Sequence, residues 1–213
     1  MKKIIFLMIL FAPSIFVKAQ SEKYTKAMNA NIVMLDSMMV KNNFAELGNN
    51  FARIADAEKT QWLPYYYAGY CIATQAMMEK DNSKKDALAD KGADYISKAE
   101  TILGKENSET DVVKSMIATA RMTVDPQSRY MTYVGDINGN IEKAKKLDPT
   151  NPRPYLLEAE NKFYTPEAFG GGKEVAKPLF EIANKLYENF KPETPLSPTW
   201  GKSSVDYFLS QYK

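Results

Sequence analysis

Apolar residues recur along most of this chain at steps of three and four. Over residues 22–40, Tyr24, Ala27, Met28, Ile32, Met34, Leu35, Met38 and Met39 follow that spacing, which places them on one face of an amphipathic helix. Asn42-Asn43 predicts a turn, and Phe44, Leu47, Phe51, Ile54 and Ala55 predict a second helix over 44–58. Thr60-Gln61-Trp62-Leu63-Pro64 offers a cap and a first-turn proline, followed by a dense aromatic and apolar run over 65–80. The polar stretch Asp81-Asn82-Ser83-Lys84-Lys85 is expected to end or bend that helix. From about 86 to 103 the inward positions are Leu88, Ala89, Gly92, Tyr95, Ile96, Ala99, Ile102 and Leu103.

Residues 104–108 read as a C-terminal cap and loop, and Ser108-Glu109-Thr110-Asp111 opens a helix to about 124 that Asp125-Pro126 breaks. The segment 127–147 is helical by its end, but Gly135, Asn138, Gly139 and Asn140 predict an irregular start. Asp148-Pro149 then stops it, because proline disfavours helical geometry at the residue before it, and Asn151-Pro152 offers an N-cap and a proline at the first helical position. Helices over 152–164 and 173–189 flank a loop at 165–172. Pro192, Pro195 and Pro198 punctuate an extended connection, and a short helix over 203–211 follows. No segment alternates with period two for long enough to suggest a sheet, so the pattern predicts about eight helices in an all-α domain.

An internal repeat underlies the spacing. Ala176, Phe180 and Ala183 are separated by four and three residues, as are Ile137, Ile141 and Ala144, and Gly92, Ile96 and Ala99; Leu47, Phe51 and Ile54 form a weaker copy. Small and large residues at those steps let one helix of a hairpin pack closely on its partner and fill the gap to the next. This resembles the second helix of the tetratricopeptide repeat (TPR). Ala144-Lys145-Lys146-Leu147-Asp148-Pro149-Thr150-Asn151-Pro152 looks like the end of one such unit, with Tyr155 and Ala159 at the family's aromatic and small positions in the next first helix. Glu158 and Lys162 depart from the family's apolar preference, and the gap from Ala159 to Ala176 is longer by about five residues than the corresponding gap in the family's ~34-residue period. Lys18-Ala19-Gln20, Trp62-Leu63-Pro64-Tyr65-Tyr66-Tyr67, Asn151-Pro152-Arg153 and Phe169-Gly170-Gly171-Gly172 also look like exported repeat proteins of Bacteroidetes-type bacteria, a resemblance that implies no activity. The expected fold is all-α, antiparallel helical hairpins stacked as a short TPR-like right-handed solenoid.

The N-terminus changes the charge picture. Lys2-Lys3, an apolar run over 4–17 and Val17-Lys18-Ala19 read as a secretory signal, cut near Gln20 with no cysteine there for a lipid anchor. The expected organisation is a signal peptide at 1–19, a TPR-like domain at 20–190, and a proline-rich connection with a short C-terminal helix at 191–213 packed on the same domain. Losing Lys2, Lys3 and Lys18 turns a formal net charge of +2 into −1, which removes the electrostatic case for nucleic acid or an anionic membrane surface. No later stretch is long and apolar enough for a membrane span, so the expected location is periplasmic or secreted. Cys71 is the only cysteine, flanked by Tyr70 and Ile72, and is expected in the core. The absence of histidine removes Ser-His-Asp and Cys-His catalysis and histidine-ligated zinc.

What could bind a partner lies on the helix faces. Tyr66 and Tyr70, four apart, share one face and Tyr65 and Gly69 another, so either core packing or a groove is open to each pair. The TPR resemblance implies that Arg153, Leu156, Glu160, Phe163 and Tyr164 point to the concave side that the family uses for extended peptides, with Arg121 and Arg129 as candidate carboxylate clamps. Gly170 and Gly171, before Lys173, could expose backbone N–H groups to an anion, although phosphate-loop spacing is absent and a plain turn is the stronger reading. No acid pair or nucleophile stands at a spacing that marks catalysis. The expectation is therefore a non-enzymatic envelope module, without cofactor or metal, that binds a peptide or partner protein; the alternative is an accessory binder of a glycan or small molecule in a tyrosine-rich groove.

Overall fold

The computed structural model describes residues 22–35, 37 and 43–212. The expected signal peptide, the end of the first predicted helix and Asn42 of the first predicted turn lie outside the described residues. Nine α-helices are described: α1 (Glu22–Ile32), α2 (Phe44–Ala57), α3 (Trp62–Met78), α4 (Asn82–Leu103), α5 (Ser108–Met122), α6 (Pro126–Leu147), α7 (Arg153–Tyr164), α8 (Lys173–Asn189) and α9 (Lys202–Ser210). A single 3₁₀ turn, Glu167–Phe169, sits between α7 and α8. No strand is present among the described residues.

Consecutive helices pair as hairpins, α1 with α2, α3 with α4, α5 with α6 and α7 with α8, and each hairpin packs on the next. The first helices of successive hairpins also touch, α3 on α5 and α5 on α7, so α3, α5 and α7 form one layer of a helical-repeat-like stack. The helix α3 is buried on nearly every side, as expected of a helix apolar all round. The close approach of α4 to it rests on Gly69, where an added Cβ would lie 2.6 Å from Ile96 Cδ1.

The spaced triplets are the buried stripes of the second helices: Gly92, Ile96 and Ala99, then Ile137, Ile141 and Ala144, then Ala176, Phe180 and Ala183. In α2 the buried set is Leu47, Phe51 and Ala55, with Ile54 only half-buried. Phe180 and Ala183 face the helix of Tyr155 and Ala159, antiparallel across the 165–172 loop.

Two local expectations need correction. Helix α3 does end just before the polar residues 81–85, at Met78, but these residues already begin the next helix, because the Asp81 carboxylate caps α4 by accepting from the Ser83 N–H at 3.0 Å. The start of α6 is regular, because Gly135 and Gly139 face solvent while Ile137, Ile141 and Ala144 anchor the opposite face; two exposed glycines cost about 1 kcal/mol each, less than that burial returns.

The connection after α8 crosses back over the stack as a strap. Tyr67 on α3 donates to Leu196 O at 2.9 Å, Tyr187 on α8 donates to Trp200 O at 3.0 Å, and the Trp200 indole N–H donates to the Tyr66 hydroxyl at 2.9 Å. Gly201 follows at φ +109, a conformation that suits glycine, and its Cα hydrogens take the place where a side chain would run into the Tyr187 hydroxyl.

Candidate ligand-binding groove

Two adjoining cavities open between the first-helix layer and α9, one of about 850 Å³ and one of about 490 Å³. Helix α3 contributes Tyr70, Thr74, Met77 and Met78 to the larger one, α5 contributes Met116, and α7 contributes Leu156, Leu157, Glu160 and Tyr164. The opposite wall is Trp200 on the strap with Ser203, Ser204, Tyr207 and Phe208 of α9. The smaller cavity shares Met77, Met116, Leu157, Glu160 and Tyr164 and continues past α6 to Tyr130 and Phe169. Several apolar side chains at this opening are solvent-exposed, Phe169 at 77%, Tyr164 at 71% and Tyr207 at 61%. An exposed apolar rim around a concave apolar floor is the mark of a binding site rather than of a finished core.

Aromatic stacking makes the walls rigid. The Trp200 and Tyr70 rings stack with centroids 4.4 Å apart at 25°, and Phe208 stacks on Phe180 at 4.6 Å and 12°. Methionines 77, 78 and 116 fill the remaining floor with a flexible, polarizable surface.

Behind the Trp200 wall lies a buried polar cluster. Arg153 has no exposed side-chain surface and donates to Glu109 Oε1 at 2.8 Å, to Asn151 Oδ1 at 3.1 Å, and to the Pro198 carbonyl. Tyr66 and Asn151 add donors to the same Glu109 carboxylate, each at 2.9 Å. Burial pushes the Glu109 carboxyl up, and the Arg153 guanidinium and the Tyr66 hydroxyl pull against it; three converging donors hold it as the acceptor. The guanidinium also lies 4.8 Å from the Phe190 ring centroid and 5.4 Å from that of Trp200. The cluster therefore anchors the strap that carries Trp200.

This geometry relocates many of the candidate residues. Tyr70, Leu156, Glu160 and Tyr164 do meet at the cavities. Tyr66 and Arg153 face the buried cluster instead, where both donate to the Glu109 carboxylate, Arg153 also to the Asn151 and Pro198 oxygens, and Tyr66 accepts from the Trp200 indole. Arg121 pairs with Asp90 at 2.6 Å, and Arg129 makes a two-pronged pair with Asp86 at 2.7 and 2.9 Å, so these arginines bind acids of α4 rather than a ligand. Phe163 is packed against Phe208 and Phe180. Gly170 and Gly171 lie in the loop folded back on α7, where the Gly172 N–H donates to Lys162 O at 2.9 Å; Gly170 O takes the Lys162 ammonium at 3.4 Å, which leaves no cradle for an anion. Burial of Cys71 pushes its thiol up, away from reactivity.

Sequence reasoning missed Met77, Met78, Met116, Trp200, Tyr207 and Phe208. For Met77 and Met78 a signal existed: they stand three and four residues after Thr74, which stands four after Tyr70, so all share one face of the helix. Trp200 and the α9 residues had none, because a proline-rich connection has no period that tells where it folds back.

Among solved structures, the HusA haemophore from Porphyromonas gingivalis is similar to this chain, with 34% identity, a TM-score of 0.79, and 92% of this chain and 95% of that chain covered. The chain belongs to the HusA haemophore family. No protein-family model and no curated protein matches it. No described helix is long and apolar enough to cross a membrane.

Proposed function

We propose that this chain is an exported, non-enzymatic binder of a tetrapyrrole, haem or a closely related porphyrin, held in the groove between α3, α5, α7 and α9. The observation that carries the reading is an apolar, methionine- and aromatic-walled cavity of about 850 Å³ in a chain of the haemophore family. That volume lies within the roughly 300–1,000 Å³ typical of cofactor-sized sites. A macrocycle would lie against Trp200 and the methionine floor, gaining its affinity from apolar contact and ring stacking. The residues that would hold it are Trp200, Tyr207 and Phe208 on one wall and Met77, Met78 and Met116 on the floor, through apolar contact and stacking. We read the hairpin stack as TPR-like, with α3, α5 and α7 as its first helices, and residues 1–19 as the signal that sends the chain to the periplasm or beyond.

Titration of the mature chain with haemin tests this. The expected result is a saturable change in the Soret band, with quenching of tryptophan fluorescence, at about one ligand per chain and micromolar or tighter affinity. Trp200→Ala should weaken it at least tenfold while circular dichroism stays helical. Absence of a saturable signal, together with specific capture of extended peptides on an array, would overturn the tetrapyrrole reading in favour of a peptide ligand on the same concave face.

A further inference from the structure

Glu160 is the one carboxylate that lines both cavities. It projects from the middle of α7 to their junction, and among the described residues no hydrogen bond or ion pair satisfies it. The other acids that line the cavities, Glu158 and Glu142, share Lys145, at 2.8 and 2.9 Å. Groups facing Glu160 are neutral. They are Tyr70 of α3, Tyr187 of α8 and its own neighbour Tyr164, each with its hydroxyl pushed up by burial, Met116 of α5, and the hydroxyls of Ser203 and Ser204 across the larger cavity. Among cations, Arg153 two turns earlier is committed to Glu109, and Lys162 reaches the Gly170 carbonyl. An acid that must be buried in an apolar groove without a partner is neutral when the groove is covered.

Resting on the tetrapyrrole reading, we propose that Glu160 is the specificity residue of this groove, that the ligand is held only when Glu160 is protonated, and that binding takes up one proton. A neutral carboxyl at the junction can donate one hydrogen bond to the ligand and lets the macrocycle slide over it. An ionised one would stand against the ring without solvent, and would repel the ligand's own carboxylates, which must therefore point out toward the rim. Burial pushes Glu160 up to about 7 in the free protein, so its charge changes across the neutral range.

The sign follows. Below pH 7 the acid is neutral in both free and bound chains, and affinity is flat. Above it, a proton must be taken up on binding, and the competent fraction falls tenfold per pH unit. Haemin affinity is expected to drop about tenfold between pH 6 and pH 8 in the wild type, whereas E160Q, permanently neutral and nearly isosteric, should hold its pH 6 affinity at pH 8. Because the same ligand is used, its own titration cancels in the difference between the two chains. A second measurement needs no variant: calorimetry at pH 8 in two buffers of different ionisation enthalpy should report close to one proton taken up per haemin by the wild type beyond that of E160Q. Parallel pH profiles for the two chains, or equal proton uptake, overturn the role of Glu160 while leaving the tetrapyrrole reading intact. No saturable haemin signal at either pH overturns that reading and this proposal with it.

Discussion

Arg153→Met is the most revealing single perturbation of the scaffold. The substitution keeps the volume of the stem and removes the only cation beside Glu109, an acid with 14% of its side chain exposed. The carboxylate would keep Tyr66 and Asn151 as donors but lose its counter-charge, and breaking a buried pair in this way costs about 3–5 kcal/mol. Pro198 O would lose its donor as well, and the Trp200 ring its stacked guanidinium. For a domain of this size about 2–4 °C of Tm is lost per kcal/mol, which gives a fall of roughly 6–20 °C. Thermal and urea unfolding followed at 222 nm measure it. The double variant Arg153→Met, Glu109→Gln removes both charges and should recover more than half of the loss, since a neutral amide can still accept from Tyr66. A single substitution costing under about 1 kcal/mol, or a double variant no more stable than the single one, would refute the account of this cluster as the anchor of the strap.

Three further outcomes follow from the packing. Glu160→Gln should stabilise the ligand-free protein at alkaline pH by up to about 3 kcal/mol and leave it unchanged near pH 4: the folded state holds the proton up to about pH 7 while the unfolded chain releases it near 4.5, so wild-type stability falls across that window, as urea titrations at pH 4 and 8.5 would register. Gly69→Ala should destabilise by about 1–2 kcal/mol despite better helix propensity, because the methyl meets Ile96, and Ile96→Val in the same chain should relieve part of that; equal costs with and without the valine would count against the contact. Cys71 should resist a thiol reagent in native buffer and react fully in denaturant; rapid native labelling would contradict its burial.

The hairpin stack was legible because its physics is local and periodic. Ala176, Phe180 and Ala183 sit at steps of four and three whether or not their partner helix is known, and the partner follows from a short loop. The site was legible only on α3 and α7, where Tyr70, Leu156, Glu160 and Tyr164 share the faces that the repeat turns inward. Tyr66 and Arg153 were drawn to the same groove on paper because side-chain type does not tell a free clamp from a buried one; Glu109, 44 residues earlier, and the Pro198 carbonyl decide it. The other half of the groove belongs to residues 200–208, whose placement depends on hydrogen bonds to Tyr66, Tyr67 and Tyr187 that span from 13 to 134 positions.

Those long spans also set the order in which the molecule becomes competent. Hairpins can fold as they emerge, each on the one before, but the wall bearing Trp200, Tyr207 and Phe208 docks only after nearly two hundred residues have been made. Until then α3 presents half a groove with no opposite side.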